Sequence, residues 1–305
     1  MKRFIFLFCI VSVIQVSFAE NTLKNYVFAK RDTCVLSMDV YTPVNVRPNT
    51  PCLVFVFGGG FLMGSKSTYY NVPYLKAMAD RGFVVASIDY RLGMKNQKAK
   101  GNDRLKLLRN AINMAVEDLY SATNYLLNHS TELSINPNCI ILSGSSAGAI
   151  TVLQADYELA NRSAIATDIP DNFHYAGVIS FAGGILNYNG MPNYKYPPAP
   201  TMLFHGTEDD LVKYDKIKVL NVGFFGTNAL VELFEKHDYP YYAYRYRDMG
   251  HEIAGVPMTD NIDDICSFIE DYVIQHKKLH KDILVKNPYL KRADYGKWKP
   301  KDLYK

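Results

Sequence analysis

Gly144-Ser145-Ser146-Ala147-Gly148 decides how this chain is read. It is a G-x-S-x-G sequence, and its neighbours carry more weight than its letters. Residues 139–142 are a short apolar strand that runs straight into it, and residues 147–161 follow at once with a helical pattern. No room is left for an ordinary loop, so the chain must turn sharply at Ser146. Glycines flank the serine because a Cβ at either position would meet the neighbouring strand or helix. The turn presents the serine hydroxyl above a sheet, at a helix N-terminus whose dipole favours developing negative charge. Without that context, the five residues would read as a chance Gly/Ser turn.

A serine hydroxyl is a poor nucleophile until a base takes its proton. On a strand–turn–helix scaffold of this kind the partners follow in the order acid, then histidine. His205-Gly206-Thr207-Glu208-Asp209 follows an apolar strand at 201–204, and Gly250-His251-Glu252 follows another at 241–246. Each candidate therefore sits at the C-terminal end of a strand, the side on which parallel sheets bind ligands. Asp209 and His251 are the expected partners of Ser146, with Glu208 and Asp210 as alternative acids. His205 precedes the acid and is read as structural. His276 and His280 have a spacing that would suit a metal on a helix, but they end a Lys-rich segment where a capping or solvated role fits better.

Negative charge on a reacting oxygen also needs donors. Phe57-Gly58-Gly59-Gly60-Phe61 ends the apolar strand at 52–57, and its glycines let backbone N–H groups approach without side-chain obstruction. The N–H of Ala147 would add another. A phosphate-binding loop or a dinucleotide fingerprint would need G-x-x-x-x-G-K-[ST] or G-x-G-x-x-G, and neither is present.

The rest of the chain suits an α/β domain of mostly parallel sheet, about eight strands with helices on both faces. Its 305 residues fit one large domain, and a net charge of +4 does not argue for nucleic acid. Residues 26–30 and 34–41 predict an edge hairpin, and 83–88 and 175–181 further strands. Helices are expected at 68–80, 103–127, 214–237 and 259–276. Residues 186–200, rich in Tyr, Pro, Asn and Gly, either wall a substrate pocket or form a plain surface loop. Lys2 and Arg3, the apolar run 4–14 and Ser17-Phe18-Ala19 read as a signal peptide cleaved after residue 19, which implies export to the periplasm or medium. The α/β domain would then span 20–279, and 280–305 would be a basic extension. Cys34, Cys52, Cys139 and Cys266 lie in apolar patterns and are expected as buried free thiols, with disulfides permitted by the compartment.

The set FGGGF, Asp89-Tyr90-Arg91-Leu92, GSSAG, HGTEDDLV and GHE resembles the α/β-hydrolase carboxylesterases, most closely bacterial enzymes of the feruloyl-esterase-like and para-nitrobenzyl-esterase type. The resemblance covers about 40–276. It implies the α/β-hydrolase fold, an ester-hydrolysing serine enzyme without cofactor or metal, and Gly59, Gly60 and Ala147 as oxyanion donors. It also implies that Asp89-Tyr90-Arg91 and Glu117-Asp118 form a structural brace. Phe57 stands where many members carry a histidine that orders the glycine loop. The expected substrate is a small-molecule or carbohydrate-linked ester, with no nucleic-acid partner. A peptidase or amidase on the same scaffold, or a non-catalytic binding protein, are the competing readings.

Overall fold

The computed structural model describes residues 21–292 apart from Thr33 and 99–101. The expected signal peptide, and the part of the C-terminal extension beyond 292, lie outside the described residues. Among the described residues there are twelve strands: β1 (Thr22–Arg31), β2 (Cys34–Thr42), β3 (Thr50–Val56), β4 (Val84–Ile88), β5 (Ile135–Ser145), β6 (Gly177–Phe181), β7 (Gly184–Asn187), β8 (Thr201–Gly206), β9 (Lys216–Val219), β10 (Val222–Gly226), β11 (Tyr241–Tyr246) and β12 (His280–Val285). The helices are α1 (Val72–Asp80), α2 (Asn102–Asn128), α3 (Ala147–Ala160), α4 (Thr227–His237), α5 (Pro257–Asp260) and α6 (Ile262–Phe268).

Nine strands form the main sheet in the order β1-β2-β4-β3-β5-β6-β8-β11-β12. Every pairing from β4 to β12 is parallel, while β1 and β2 make the expected antiparallel hairpin at one edge. Val84–Ile88 and Gly177–Phe181 are buried at every position, as strands covered by helices on both faces must be. This is the α/β-hydrolase fold. Because the strands are parallel and in register, the segments after β3, β5, β8 and β11 emerge on one side of the sheet, and each carries an expected site residue.

Four expectations need correction. Residues 214–226 are not helical; β9 and β10 form a hairpin there, and the helix is confined to α4. Residues 216–219 and 222–226 are largely β-branched or aromatic, and Gly223 and Gly226 weaken any helix through them. The expected helix 259–276 is broken into α5, α6 and a π-helical turn, Ile269–Ile274, because Asn261 (φ −118°) interrupts it. His276, at φ 52°, lies beyond that turn, and His280 opens β12, so the two histidines share no helix. The boundary at 279/280 falls just ahead of a strand: β12 pairs with β11 over all six residues. Residues 280–285 thus extend the sheet, because their alternating exposed and half-buried side chains suit an edge strand. Finally, the four cysteines among the described residues are free thiols, but Cys34 and Cys266 are only half-buried.

Candidate active site

Ser146 sits between the end of β5 and the first turn of α3, at φ 53° and ψ −116°. Such a conformation is costly for a non-glycine residue and is held by its surroundings. The Ser146 N–H donates to the Phe181 carbonyl at 2.8 Å, which ties the turn to β6. A Cβ on Gly148 would collide with the Val56 carbonyl of β3, and one on Gly144 with the Gly148 carbonyl of α3. Both flanking glycines are thus required by the close approach of strand and helix.

Ser146 Oγ lies 2.8 Å from His251 Nε2, and His251 Nδ1 lies 2.7 Å from Asp209 Oδ2. His251 opens a short 3-10 turn, His251–Ala254, just past β11. Asp209 lies three residues past β8, and its side chain is fully buried. The structure thus brings the three expected residues together in one hydrogen-bonded line. Glu208 and Asp210, the alternative acids, are exposed; Asp210 instead pairs with Lys213 at 2.9 Å.

Asp209 is held as a carboxylate by three donors. The N–H groups of Leu211 and Val212 reach Oδ1 at 2.8 and 2.9 Å, and His251 reaches Oδ2. A second imidazole, His205, is completely buried on β8 and places Nε2 3.4 Å from Oδ2. Burial pushes the Asp209 carboxyl up, but the two imidazoles beside it outweigh this and hold the group well below the ordinary carboxylate range. His205 Nε2 is also 2.9 Å from the Val212 carbonyl, an acceptor only, so this nitrogen carries the proton. Its Nδ1 then accepts from the Thr227 hydroxyl at 2.9 Å. The structural reading of His205 omitted this contact with the acid, and no sequence spacing announces Thr227, eighteen residues beyond Asp209.

The glycine loop follows β3. Gly59 adopts φ +116°, where a Cβ would strike the Met63 carbonyl, and Gly60 adopts φ 63°. Among the described residues no backbone partner takes the N–H of Gly59, Gly60 or Ala147. Phe57, in the position of the missing histidine, stacks on Tyr90 with ring centroids 4.4 Å apart, and the Tyr90 hydroxyl donates to the Phe57 carbonyl at 3.0 Å. Aromatic packing therefore orders this loop where a polar ring is absent. Tyr90 is in turn held by its neighbour: the Arg91 guanidinium binds buried Asp118 at 2.8 Å and Glu117 at 2.8 Å, as the brace requires.

The stretch 186–200 splits in two. Leu186 to Asn193 line a cavity of about 680 Å3 between α2 and α3, with Arg109, Asn113 and Gln154 opposite. Tyr196 to Pro200 instead run to the start of β8, at the far end of the sheet from Ser146, beside Asn138 and His276. Only the first part lines that cavity. Arg292 is an unforeseen neighbour: its guanidinium donates to the Glu208 carbonyl at 2.8 Å and lies 3.6 Å from Asp210.

A serine, a histidine and a buried aspartate in line on this fold are the site of the serine hydrolases. The sequence profile of the BD-FAE family matches residues 38–192, and the chain belongs to that family. Asp209 and His251 lie past the matched stretch, so geometry alone joins them to Ser146. Carboxylesterase NlhH of Mycobacterium tuberculosis is 30% identical over 109 residues, 36% of this chain and 30% of that protein. The probable isoprenylcysteine alpha-carbonyl methylesterase ICMEL1 of Arabidopsis thaliana is 25% identical over 241 residues, 65% of this chain and 47% of that protein. The matches span from about a fifth to about half the length of such curated relatives. Among solved structures, the apo form of Thermogutta terrifontis esterase 2 superposes with a TM-score of 0.59 at 21% identity, covering 85% of this chain and 96% of that one.

Proposed function

We propose that this protein is an exported serine esterase that hydrolyses carboxylic esters through an acyl-enzyme. The observation that carries the reading is the continuous line Ser146 Oγ, His251 Nε2, His251 Nδ1, Asp209 Oδ2, with both links at hydrogen-bond length. Ser146 Oγ attacks the ester carbonyl while its proton passes to His251 Nε2. The carbonyl oxygen takes the negative charge and is met by the N–H groups of Gly59, Gly60 and Ala147. Collapse breaks the bond to the alkoxy oxygen, and His251 returns the proton to the departing alcohol. Water then repeats the sequence: His251 takes its proton, the hydroxide oxygen bonds to the acyl carbon, and Ser146 leaves with that proton restored. Asp209 fixes the imidazole tautomer and stabilises its charged form.

Membership of the BD-FAE family and the carboxylesterase relatives support ester over amide chemistry. The polar cavity beside Leu186 leaves room for the carbohydrate part of an acylated sugar, and the N-terminal Lys2-Arg3, apolar run and Ser17-Phe18-Ala19 support export. The test is a matched panel of esters and amides, run beside labelling with a fluorophosphonate. Ester turnover and labelling, both abolished in Ser146→Ala by about three orders of magnitude or more, are expected. Faster turnover of the amides would transfer the protein to the peptidases, and a wild type that neither labels nor turns over would make it a binding protein.

A further inference from the structure

Residues 216–226 lie outside the stretch that matches the family profile, and the triad does not need them. In the small antiparallel sheet β7-β10-β9, Phe224 is the cross-strand partner of both Leu186 and Ile217, and Val222 is the partner of Val219. Cross-strand partners share a face, as do residues two apart along a strand. Leu186, Ile217, Val219, Val222 and Phe224 therefore make one apolar face. The opposite face carries Ile185 and Phe225, both buried in the core, and along β9 the exposed Lys216 and Lys218. A sheet with one face in the core normally turns polar residues to the other. Here the second face is apolar as well, with Ile217 50% and Val219 69% exposed.

Under that face lies a cavity of about 280 Å3, closed on its far side by Leu105 and Leu108 of α2, Ile150 of α3, and Leu211 and Val212. Three of its wall residues are hydrogen-bonded to members of the triad through their backbone. The Ile150 N–H donates to the Ser146 carbonyl at 2.9 Å, one helical turn away. Leu211 and Val212 are the two residues whose N–H groups hold Asp209. Lys213 is the one charged residue in the lining, and its ammonium is paired with Asp210. Nothing here rewards a hydroxylated or charged ligand.

We infer that this cavity takes an unbranched hydrocarbon chain of the ester substrate, and that Phe224, Ile217 and Val219 set its preferred length. The inference rests on the esterase reading and names the substrate class of that site. A volume of about 280 Å3 holds about nine groups the size of a water molecule, which limits the chain to about eight carbons. Whether the chain belongs to the acid or to the alcohol, it presents the same methylenes to the same wall.

Two ester series separate these sources: p-nitrophenyl esters from acetyl to decanoyl, and acetates of straight alcohols from ethyl to decyl. In one series kcat/KM rises about fourfold per methylene up to about eight carbons and then falls. Ile217→Ser with Val219→Ser, both at exposed positions, flattens that rise while turnover of the shortest esters, p-nitrophenyl acetate and ethyl acetate, stays within about twofold. Two flat series, or an unchanged rise in the double variant, overturn the inference. If the wild type hydrolyses no ester, the esterase reading fails on its own. The cavity is then judged by calorimetric binding of p-nitrophenyl octanoate to Ser146→Ala: saturable binding weakened by the double substitution upholds it, and no binding refutes it.

Discussion

In the proposed mechanism Asp209 is the acid, because in the run Glu208-Asp209-Asp210 it alone is turned inward. Glu208 and Asp210 are solvated, while three N–H donors converge on Asp209. Asp209→Asn is expected to lower kcat by about 10³–10⁴, because an amide cannot hold the imidazole tautomer. Glu208→Gln and Asp210→Asn should stay within about fivefold of wild type by the same steady-state assay. A damaging Glu208→Gln would reassign the acid. His205 acts one step further out. Thr227→Val leaves His205 Nδ1 buried without a partner, at a cost of about 1–3 kcal/mol. The expected result is a lower kcat with KM unchanged, as a loosened Asp209 demands. A purely structural role would lower the melting temperature and spare kcat.

At the scale of elements, two features alter what a sequence pattern suggests. Residues 214–237 carry helix-compatible spacing, yet only α4 is helical. β10 instead pairs with β7 some forty residues back, and Leu220, at φ 55° and 88% exposed, takes the tight turn. At the other end, β12 adds six parallel ladder positions to β11, and Arg292 fastens the chain to the loop that carries Asp209. A chain ending at residue 279 should therefore melt at least about 5 °C lower, measured by calorimetry. On α3, Asp156 is fully buried, with the Ala199 N–H at 3.2 Å, and burial pushes its carboxyl up to about 7. Between about pH 4 and 7 the unfolded chain has lost this proton and the folded one has kept it, so the group's contribution falls as pH rises through that window. Asp156→Asn should then be more stable than wild type above pH 7, by about 4 kcal/mol at most, and equal to it below pH 4. Urea unfolding at both pH values measures this, and an equal deficit at both would refute it.

The whole molecule sets the pH behaviour of the proposed reaction. Asp209 stays ionised across the working range because its carboxyl is held low. Acid inactivation must then come from the histidine: an imidazolium cannot take the Ser146 proton. The profile of kcat/KM on a neutral ester should fall on acidification, with and without a chelator. A flat profile to about pH 4 would exclude a histidine base, and loss with chelator restored by a divalent cation would call for a metal mechanism.

What the sequence determined by itself was local. Continuous apolar runs specify buried parallel strands, and G-x-S-x-G between strand and helix specifies the turn at Ser146. Once the strands are parallel, any residue just past a strand's end lies on one side of the sheet. That is why Ser146, Asp209 and His251 were legible from their positions alone. Only the tertiary structure decided the rest. His205 meets Asp209 because the backbone bends back after β8, and Thr227 reaches His205 from the start of a different helix. The apolar face of β7, β9 and β10 exists only through strand pairing across some forty residues, and β12 through pairing with β11 across a broken helix. Propensity acts over a few residues, whereas these contacts depend on loop closure and packing across the whole domain.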